Sequence, residues 1–395
     1  MIAILADPVS EVVAAAEKLL TRRTGAPVTL VDPVDLGGSG PTIVLRVRVA
    51  ENPFSLPKTL VVKQVRDGAH TDSWMPDVED QSHGGGLPDD SHTAFLREAV
   101  SYQFATALHT DVRPGAELLA SDLEARILVL SDLGDATSIS SLLEHSDTDT
   151  VTNTLMAMAQ ALGRMHATTV GREEDFTALL RRAEVEQCDD FVSGQVGRAV
   201  AEVPGLLRDH VGIEVPSDVT EQVTQAEKLF DSGRFRAFSP SDLCPDNIIV
   251  NDEGVRFLDY EWGGFRDAML DIAYALVSFP GCLCSIDLSE DRTQAMIEAW
   301  RAEVVGMWPA LADDDVLDAR IVEAQLIWVW ISTYLFLLDD HTLISEVREH
   351  ALSVPRTVAL SRRWEQLARS AQSAGNTVIA EHAEAVAAKL AITAG

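Results

Sequence analysis

The spacing of apolar residues divides the chain into two parts. Before residue 132, short apolar runs predict helices at 12–24 and after Thr93, with strands at 28–31, 43–49, 60–65, 116–120 and 126–130. Beyond it, apolar residues recur every three or four positions, which predicts helices at 152–169, 193–203, 217–232, 289–307, 314–339, 355–371 and 374–392. Pro204 is expected to end the second of these. The pattern predicts an α+β protein, with a small, mostly antiparallel sheet followed by a large helical part.

One stretch of the first part has no such pattern. Residues 67–90 are polar, acidic and glycine-rich, with little periodicity. A segment of this composition buries too little apolar surface to fold on its own. We therefore predict a long, mobile insertion there.

A loop and a hairpin at 239–261 interrupt the helical part. Two prolines exclude a helix interior, and the apolar runs 248–250 and 255–258 flank a polar turn. This hairpin can hold three oxygen-bearing side chains close together, those of Asp242, Asn247 and Asp259. Such a set suits Mg²⁺, which shares its ligand shell with water and substrate phosphates. The alternative is an acidic surface hairpin, because Asp and Asn are ordinary turn residues.

Two features of the predicted sheet could bind phosphate. Between the first two strands lies a glycine-rich turn that includes Gly38, Ser39 and Gly40. Its backbone N–H groups could approach a phosphate, although no Gly-Lys-Ser/Thr opens a helix there, so it is not a P-loop. Lys63 lies inside an apolar strand, where an unpaired lysine is costly to bury. A solvent-facing lysine on an alternating strand is the alternative.

The central loop resembles a known family. Asp-x-x-x-x-Asn followed by an aspartate at a strand end is the spacing of kinase phosphoryl-transfer loops. The chain reads Pro240-Ser241-Asp242-Leu243-Cys244-Pro245-Asp246-Asn247 and then Leu258-Asp259-Tyr260-Glu261. This is similar to the aminoglycoside phosphotransferase and choline kinase family, with His-Gly-Asp-Leu-His-Pro-x-Asn and then Ile-Asp-Trp/Phe/Tyr-Glu. Pro240 replaces the first histidine, which is thought to brace the loop, so its loss bears on efficiency more than on fold.

The resemblance implies a protein-kinase-like fold with two lobes. Residues 1–131 would form the nucleotide-binding lobe, and residues 132–395 the helical lobe with the catalytic loop and the acceptor site. The resemblance extends over roughly 28–280 and is strongest at 239–273.

The same resemblance implies roles for individual residues. Asp242 would be the catalytic base, and Asn247 and Asp259 would bind Mg²⁺. The expected nucleotide-binding positions are the glycine turn at Gly38, Ser39 and Gly40, the pair Lys63 and Glu98, and the hinge at Leu130 and Asp132, whose backbone would meet the base.

Two further residues are expected to support the fold. His166 belongs to an element that resembles the family's Leu-x-x-Leu-His and is expected to be structural. Asp271 would tie its helix to the catalytic loop, although an acid favoured by the helix dipole is nearly as good an interpretation.

The predicted activity is transfer of the terminal phosphoryl group of ATP or GTP to a hydroxyl of a small molecule. Aminoglycosides, other cationic antibiotics, choline-like amino alcohols, homoserine and sugars all fit as acceptors. One alternative is a nucleotide-binding regulator that has lost turnover, motivated by the missing histidine. A protein kinase is disfavoured because no Asp-Phe-Gly or Ala-Pro-Glu element is recognisable.

Composition narrows the possible partners. The net charge of −31 argues against a nucleic acid partner and weakly favours a cationic acceptor, although acidity also promotes solubility. The four cysteines lack the spacing of a metal or disulfide framework, and the N-terminus lacks the basic region of a signal peptide. The apolar run 324–338 is short for a membrane span. We expect a cytoplasmic protein without a membrane partner, and the oligomeric state stays undetermined.

Overall fold

The computed structural model describes residues 8–38, 42–50, 56–66, 90–185, 191–286, 288–338 and 352–394. The insertion predicted at 67–90 lies outside these ranges except for its last residue. Ser39 and Gly40 of the glycine turn also lie outside the described residues.

The first part of the chain forms one antiparallel sheet in the order β1-β2-β3-β5-β4. Its strands are β1 Leu30–Asp35, β2 Thr42–Val49, β3 Thr59–Val65, β4 Leu118–Asp122 and β5 Ile127–Ser131. The helix α1, Pro8–Thr24, precedes the sheet, and α2, Asp90–Thr106, lies between β3 and β4 in the chain. The predicted small antiparallel sheet is therefore confirmed.

The two faces of this sheet differ because successive side chains of a strand point to opposite faces. On β3, Leu60 and Val62 are fully buried in an apolar cluster with Val12 and Leu20 of α1. Lys63 points the other way. The outer face is thus closed by α1, and the inner face carries the only charged side chain of β3.

The second part of the chain is mainly helical. Its helices are α3 Ile139–His145, α4 Thr148–Thr169, α5 Glu173–Arg182, α6 Phe191–Leu206, α7 Ser217–Glu227, α8 Met269–Leu276, α9 Glu290–Val304, α10 Asp314–Leu337, α11 Arg356–Ser373 and α12 Thr377–Ala394. α10 is long and apolar enough to cross a membrane by length and composition, but 83% of its apolar window is buried inside the protein. It packs against α6, α7, α8 and α11, so it is a central core helix.

Two small sheets hold the central loop. The strands are β6 Thr137–Ser138, β7 Arg236–Ser239, β8 Ile248–Asn251, β9 Gly254–Phe257 and β10 Gly264–Asp267. β7 pairs with β10, and β8 lies between β6 and β9. The sequence pattern predicted β8 and β9 but missed β7 and β10. These two strands have four residues each and are almost entirely buried, so they show no alternation.

The expected helix end at Pro204 is wrong. Pro204 lies inside α6, which continues to Leu206 and is followed by a π-helical turn, Leu207–Val211. A proline costs one backbone hydrogen bond. Val203 and Leu207 on either side of it are fully buried in the core, and this packing holds the helix across the proline.

Candidate active site

The loop between β7 and β8 places Asp242 next to Asn247. Ser241 has a φ of +68°, in the left-handed region, and this turns the chain sharply before Asp242. Asp242 Oδ1 accepts a hydrogen bond from the backbone N–H of Cys244 at 3.1 Å, and Oδ2 accepts one from Asn247 Nδ2 at 2.8 Å. The carboxylate and the amide are therefore held side by side.

Asp259 joins them from the end of β9. The backbone N–H of Leu258 donates to the carbonyl of Asn247 at 2.8 Å, which fixes the two segments together. Lys63 Nζ lies 2.7 Å from Asp259 Oδ1 and 2.7 Å from Glu98 Oε1. The expected Lys63–Glu98 ion pair is therefore present. The Lys63 side chain is 9% exposed and that of Asp259 is 44% exposed, so the aspartate reaches the solvent side of the cleft.

Carboxylates outnumber cations around Lys63. Burial alone would lower the pKa of Lys63, but the carboxylates of Asp259 and Glu98 outweigh it and hold that pKa well above its ordinary value. Burial raises the pKa of Asp242, and the charge of Asp259 adds to this. Burial also raises the pKa of Glu261, to about 8. Asp259 and Glu98 both pair with Lys63, so two carboxylates share one lysine, which leaves an excess of negative charge that a further cation would offset.

The oxygen donors in this cleft fit Mg²⁺. The amide nitrogen of Asn247 is engaged by Asp242, so its Oδ1 is the atom left for a cation, and Asp259 contributes a carboxylate. Among the described residues no group of three or more His, Cys, Asp or Glu side chains could hold a metal by itself. A cation bound here would need further oxygens from phosphate or water, as Mg²⁺ commonly does.

A buried network supports the loop from below. Asp271 Oδ1 accepts a hydrogen bond from Ser239 Oγ at 2.6 Å, and its Oδ2 accepts one from His166 Nε2 at 3.0 Å. His166 Nδ1 accepts from Trp300 Nε1 at 3.0 Å, so Nε2 must carry the imidazole proton. Both His166 and Asp271 are fully buried. The expected tie between Asp271 and the loop is present, and His166 is part of the same network.

A second brace was missed by the sequence analysis. Arg266 of β10 is buried, and its guanidinium contacts Ser241 Oγ and the carbonyl of Trp262. Ser241 Oγ itself donates to the same carbonyl at 2.7 Å. Pro240 has no hydrogen-bonding side chain, and Ser241 and Arg266 brace the loop instead. No sequence signal marked it, because Gly264–Asp267 contains one large apolar side chain and shows no strand pattern.

The glycine turn is tight where it is described. A Cβ atom at Gly38 would lie 2.0 Å from the carbonyl oxygen of Thr42, so no other residue fits without moving β2. This close backbone approach is compatible with a phosphate-binding turn.

The expected hinge lies at the end of β5. Leu130 is buried and pairs with Val61 of β3. Asp132 Oδ1 accepts hydrogen bonds from Arg46 Nη2 and from the backbone N–H of Gly134, both at 3.0 Å. The Asp132 side chain is thus engaged within the protein, which leaves backbone groups as the contacts available to a ligand.

A small cavity of about 10 Å³, enough for about one water molecule, adjoins Asp242 on the side of the helices. Among the described residues it is lined by aromatic and aliphatic side chains with few polar groups: Ser241, Asp242, Trp262, Tyr274, Pro280, Gly281, Trp328, Ile331 and Leu335. Trp328 of α10 contributes its aromatic ring to this lining. Trp330 packs against Trp364 in the core instead.

Comparison with solved structures identifies the fold. A choline kinase from Cryptosporidium parvum matches with a TM-score of 0.52 and 10% identity, over 94% of this chain and 97% of that one. The chain has the protein-kinase-like fold. A protein from Ralstonia eutropha proposed to be an aminoglycoside phosphotransferase matches with a TM-score of 0.50 and 12% identity, over 92% and 98% of the two chains.

These similarities confirm the predicted fold and its resemblance to small-molecule kinases. No protein-family model matches the chain, and no curated protein is similar to it in sequence. At identities this low, the similarity shows the fold alone.

Proposed function

We propose that this protein transfers the terminal phosphoryl group of ATP or GTP to a hydroxyl group of a small molecule. The observation that carries the proposal is the convergence of Lys63, Asp259 and the Asp242–Asn247 pair on one cleft. Phosphoryl transfer depends mainly on positioning and on neutralising charge, and these groups supply both.

The nucleotide end of the cleft would be organised by Lys63 and the metal ligands. Lys63, aimed by Glu98, would contact the phosphates. Asn247 and Asp259 would hold Mg²⁺, which when bound neutralises charge on the phosphate oxygens. The backbone of the glycine turn and of the hinge would contact the phosphates and the base.

Asp242 would act at the acceptor end. It faces the cavity and is fixed by Cys244 N–H and Asn247, so it can orient a hydroxyl and accept its proton. Burial raises its pKa, which makes it a better base than an exposed aspartate.

The lining of the cavity favours a compact acceptor over an aminoglycoside. An aminoglycoside carries many hydroxyl and ammonium groups, each of which needs a polar partner when buried. Three aromatic residues, Trp262, Tyr274 and Trp328, line the cavity, and aromatic faces attract cations. The lining therefore suits a small alcohol with a single amine, and the walls of the cavity must open to admit it, because the space present holds about one water molecule.

A coupled assay for ADP or GDP release tests the proposal. The purified chain is given Mg²⁺ with ATP or GTP and a panel of alcohols, including choline, ethanolamine, homoserine, sugars and aminoglycosides. Asp242→Asn is expected to lower kcat by roughly 10²–10⁴-fold while nucleotide binding is kept. Undiminished turnover in this variant would overturn the assignment of Asp242.

Asp246→Asn is the matched control on the same loop. Asp246 accepts a hydrogen bond from Ser140 at 2.7 Å, and we give it no part in the chemistry. Its turnover should stay near that of the wild type. Nucleotide binding without release of ADP or GDP across the whole panel would instead favour a regulator without turnover.

A further inference from the structure

The loop after α8 forms one wall of the cavity beside Asp242 through Pro280 and Gly281. It begins with two residues in the left-handed region, Ser278 at a φ of +62° and Phe279 at +55°. Non-glycine residues rarely adopt this conformation, and it persists only where surrounding contacts fix it. Both side chains are buried, so the fixing contacts must come from the interior.

Arg363 of α11 supplies those contacts. Its side chain is fully buried. Its guanidinium donates to the carbonyl of Phe279 at 2.9 Å and to that of Cys282, with longer contacts of 3.4 Å to Ser278 and Cys284. Four carbonyls of one loop thus converge on a single guanidinium nitrogen, Nη2.

The other side of the same guanidinium reaches α10. Arg363 Nη1 donates to Ser332 Oγ at 2.7 Å, and the guanidinium lies 4.9 Å from the centre of the Phe336 ring. Ser332 is adjacent in sequence to Ile331, which lines the cavity. Arg363 therefore connects the two walls of the cavity, the loop and α10.

Arg363 has no carboxylate partner among the residues that the structure describes, since none of their ion pairs involves it. Burying a charged group is costly unless polar groups compensate it, and here carbonyl and hydroxyl dipoles do so. An apolar side chain could fill the same volume without that cost. We attribute the presence of an arginine at this buried position to the loop conformation that its hydrogen bonds hold.

The cavity end of the loop is also fixed against α8. The N–H of Gly281 donates to Tyr274 Oη at 3.2 Å, and a Cβ atom at Gly281 would lie 2.4 Å from that oxygen. Because Gly281 has so little room, a shift of the loop at Arg363 would move this wall of the cavity.

We propose that Arg363 is a positioning residue for the acceptor. It holds the 278–284 loop at a fixed distance from α10 and thereby sets the shape of the cavity where a hydroxyl meets Asp242. This role of Arg363 depends on the proposed function in one respect only, namely which kind of molecule enters the cavity.

Hydrogen–deuterium exchange of the full chain tests the structural part without any ligand. In Arg363→Met, the peptide that contains 278–286 should exchange about tenfold faster or more, as expected for local opening. Arg363→Lys should show a smaller increase in exchange, because its ammonium can still donate to some of the loop carbonyls although it cannot reach Ser332 at the same time. If Arg363→Met does not fold, the exchange of the loop in Arg363→Lys alone decides whether the proposal holds. Wild-type exchange of the loop in both variants would overturn the proposal.

Trp364→Phe is the matched control. Trp364 lies next to Arg363 on α11, donates to Thr333 Oγ1 at 3.0 Å and packs on Trp330, so its loss loosens the same helices without touching the loop. Its effect should spread over α10, α11 and α12. The same pattern in Arg363→Met would show that Arg363 only stabilises the helices.

Kinetics with choline and ethanolamine test the consequence. Arg363→Met should raise KM for the alcohol by about tenfold with KM for ATP little changed, and Arg363→Lys should restore part of the loss. Equal changes in kcat and both KM values would contradict a positioning role. Absence of wild-type turnover on every alcohol tested would count against the proposed function, while the exchange experiment still decides the role of Arg363.

Discussion

Asp242 lies in the loop between β7 and β8 and Asp271 lies beneath that loop, and the two aspartates have very different surroundings. Asp271 is fully buried, and each of its two oxygens accepts one hydrogen bond, Oδ2 from His166 and Oδ1 from Ser239. Asp242 is half-buried, bonds only to its own loop and faces the cavity. The same residue type supports the fold in one place and is available for chemistry in the other. The difference lies in what surrounds each carboxylate.

Replacing each aspartate with asparagine tests this difference most strongly. In Asp271→Asn only the amide oxygen can still accept, so it can serve His166 Nε2 or Ser239 Oγ but not both. One buried donor then loses its acceptor, and the free energy of unfolding should fall by about 1–3 kcal/mol. Urea denaturation measures this loss.

Asp242→Asn should behave in the opposite way. It removes a carboxylate whose pKa burial raises, so the free energy of unfolding at neutral pH should change by less than about 1 kcal/mol although turnover is lost. A large loss of stability in this variant, or none in Asp271→Asn, would show that the two roles are assigned wrongly.

An effect of intermediate size is expected at Glu261, where the stability of the fold should depend on pH. Its pKa in the folded protein is about 8, above its ordinary value near 4.5, so between these values the unfolded chain releases the proton first. Its contribution therefore destabilises the fold progressively as pH rises through that window and is constant above it. Glu261→Gln should remove this slope, so its Tm advantage over the wild type should grow from pH 5 to pH 8. A difference in Tm that does not change with pH would contradict the raised pKa.

The smallest effect is expected at Ser241, where two contributions oppose each other. Ser241→Gly relieves the left-handed backbone but loses the hydroxyl that bonds the Trp262 carbonyl and Arg266, so stability should change by less than about 1 kcal/mol. Ser241→Ala loses the hydroxyl and keeps the backbone cost. It should be less stable than Ser241→Gly by about 1 kcal/mol in urea denaturation. Equal stabilities would show that the loop is not strained at this position.

The sequence predicted what local patterns encode. A short apolar run located β3, and the rarity of lysine in such a run singled out Lys63. The spacing from Asp242 to Asn247 and on to Asp259 was sufficient to expect the three side chains together, as the hairpin places them.

Features that depend on distant contacts were not predictable in this way. Arg266 and Arg363 resemble ordinary helix or surface arginines in the sequence, and only the fold brings them to Ser241 and to the loop after α8. Pro204 was expected to end α6 because a local rule cannot weigh the buried packing of Val203 and Leu207. The left-handed conformations of Ser278 and Phe279 are likewise imposed by tertiary contacts on residues that do not favour them.

The central claim is that Asp259, Asn247 and Lys63 hold a nucleotide together with Mg²⁺. Isothermal titration calorimetry of the wild type and of Asp259→Asn, with a non-hydrolysable ATP analogue in the presence and absence of Mg²⁺, tests it directly. We expect Mg²⁺ to tighten nucleotide binding to the wild type by about tenfold or more, and we expect Asp259→Asn to lose this gain. Nucleotide binding that is the same with and without Mg²⁺ in the wild type, or no nucleotide binding at all, would contradict it.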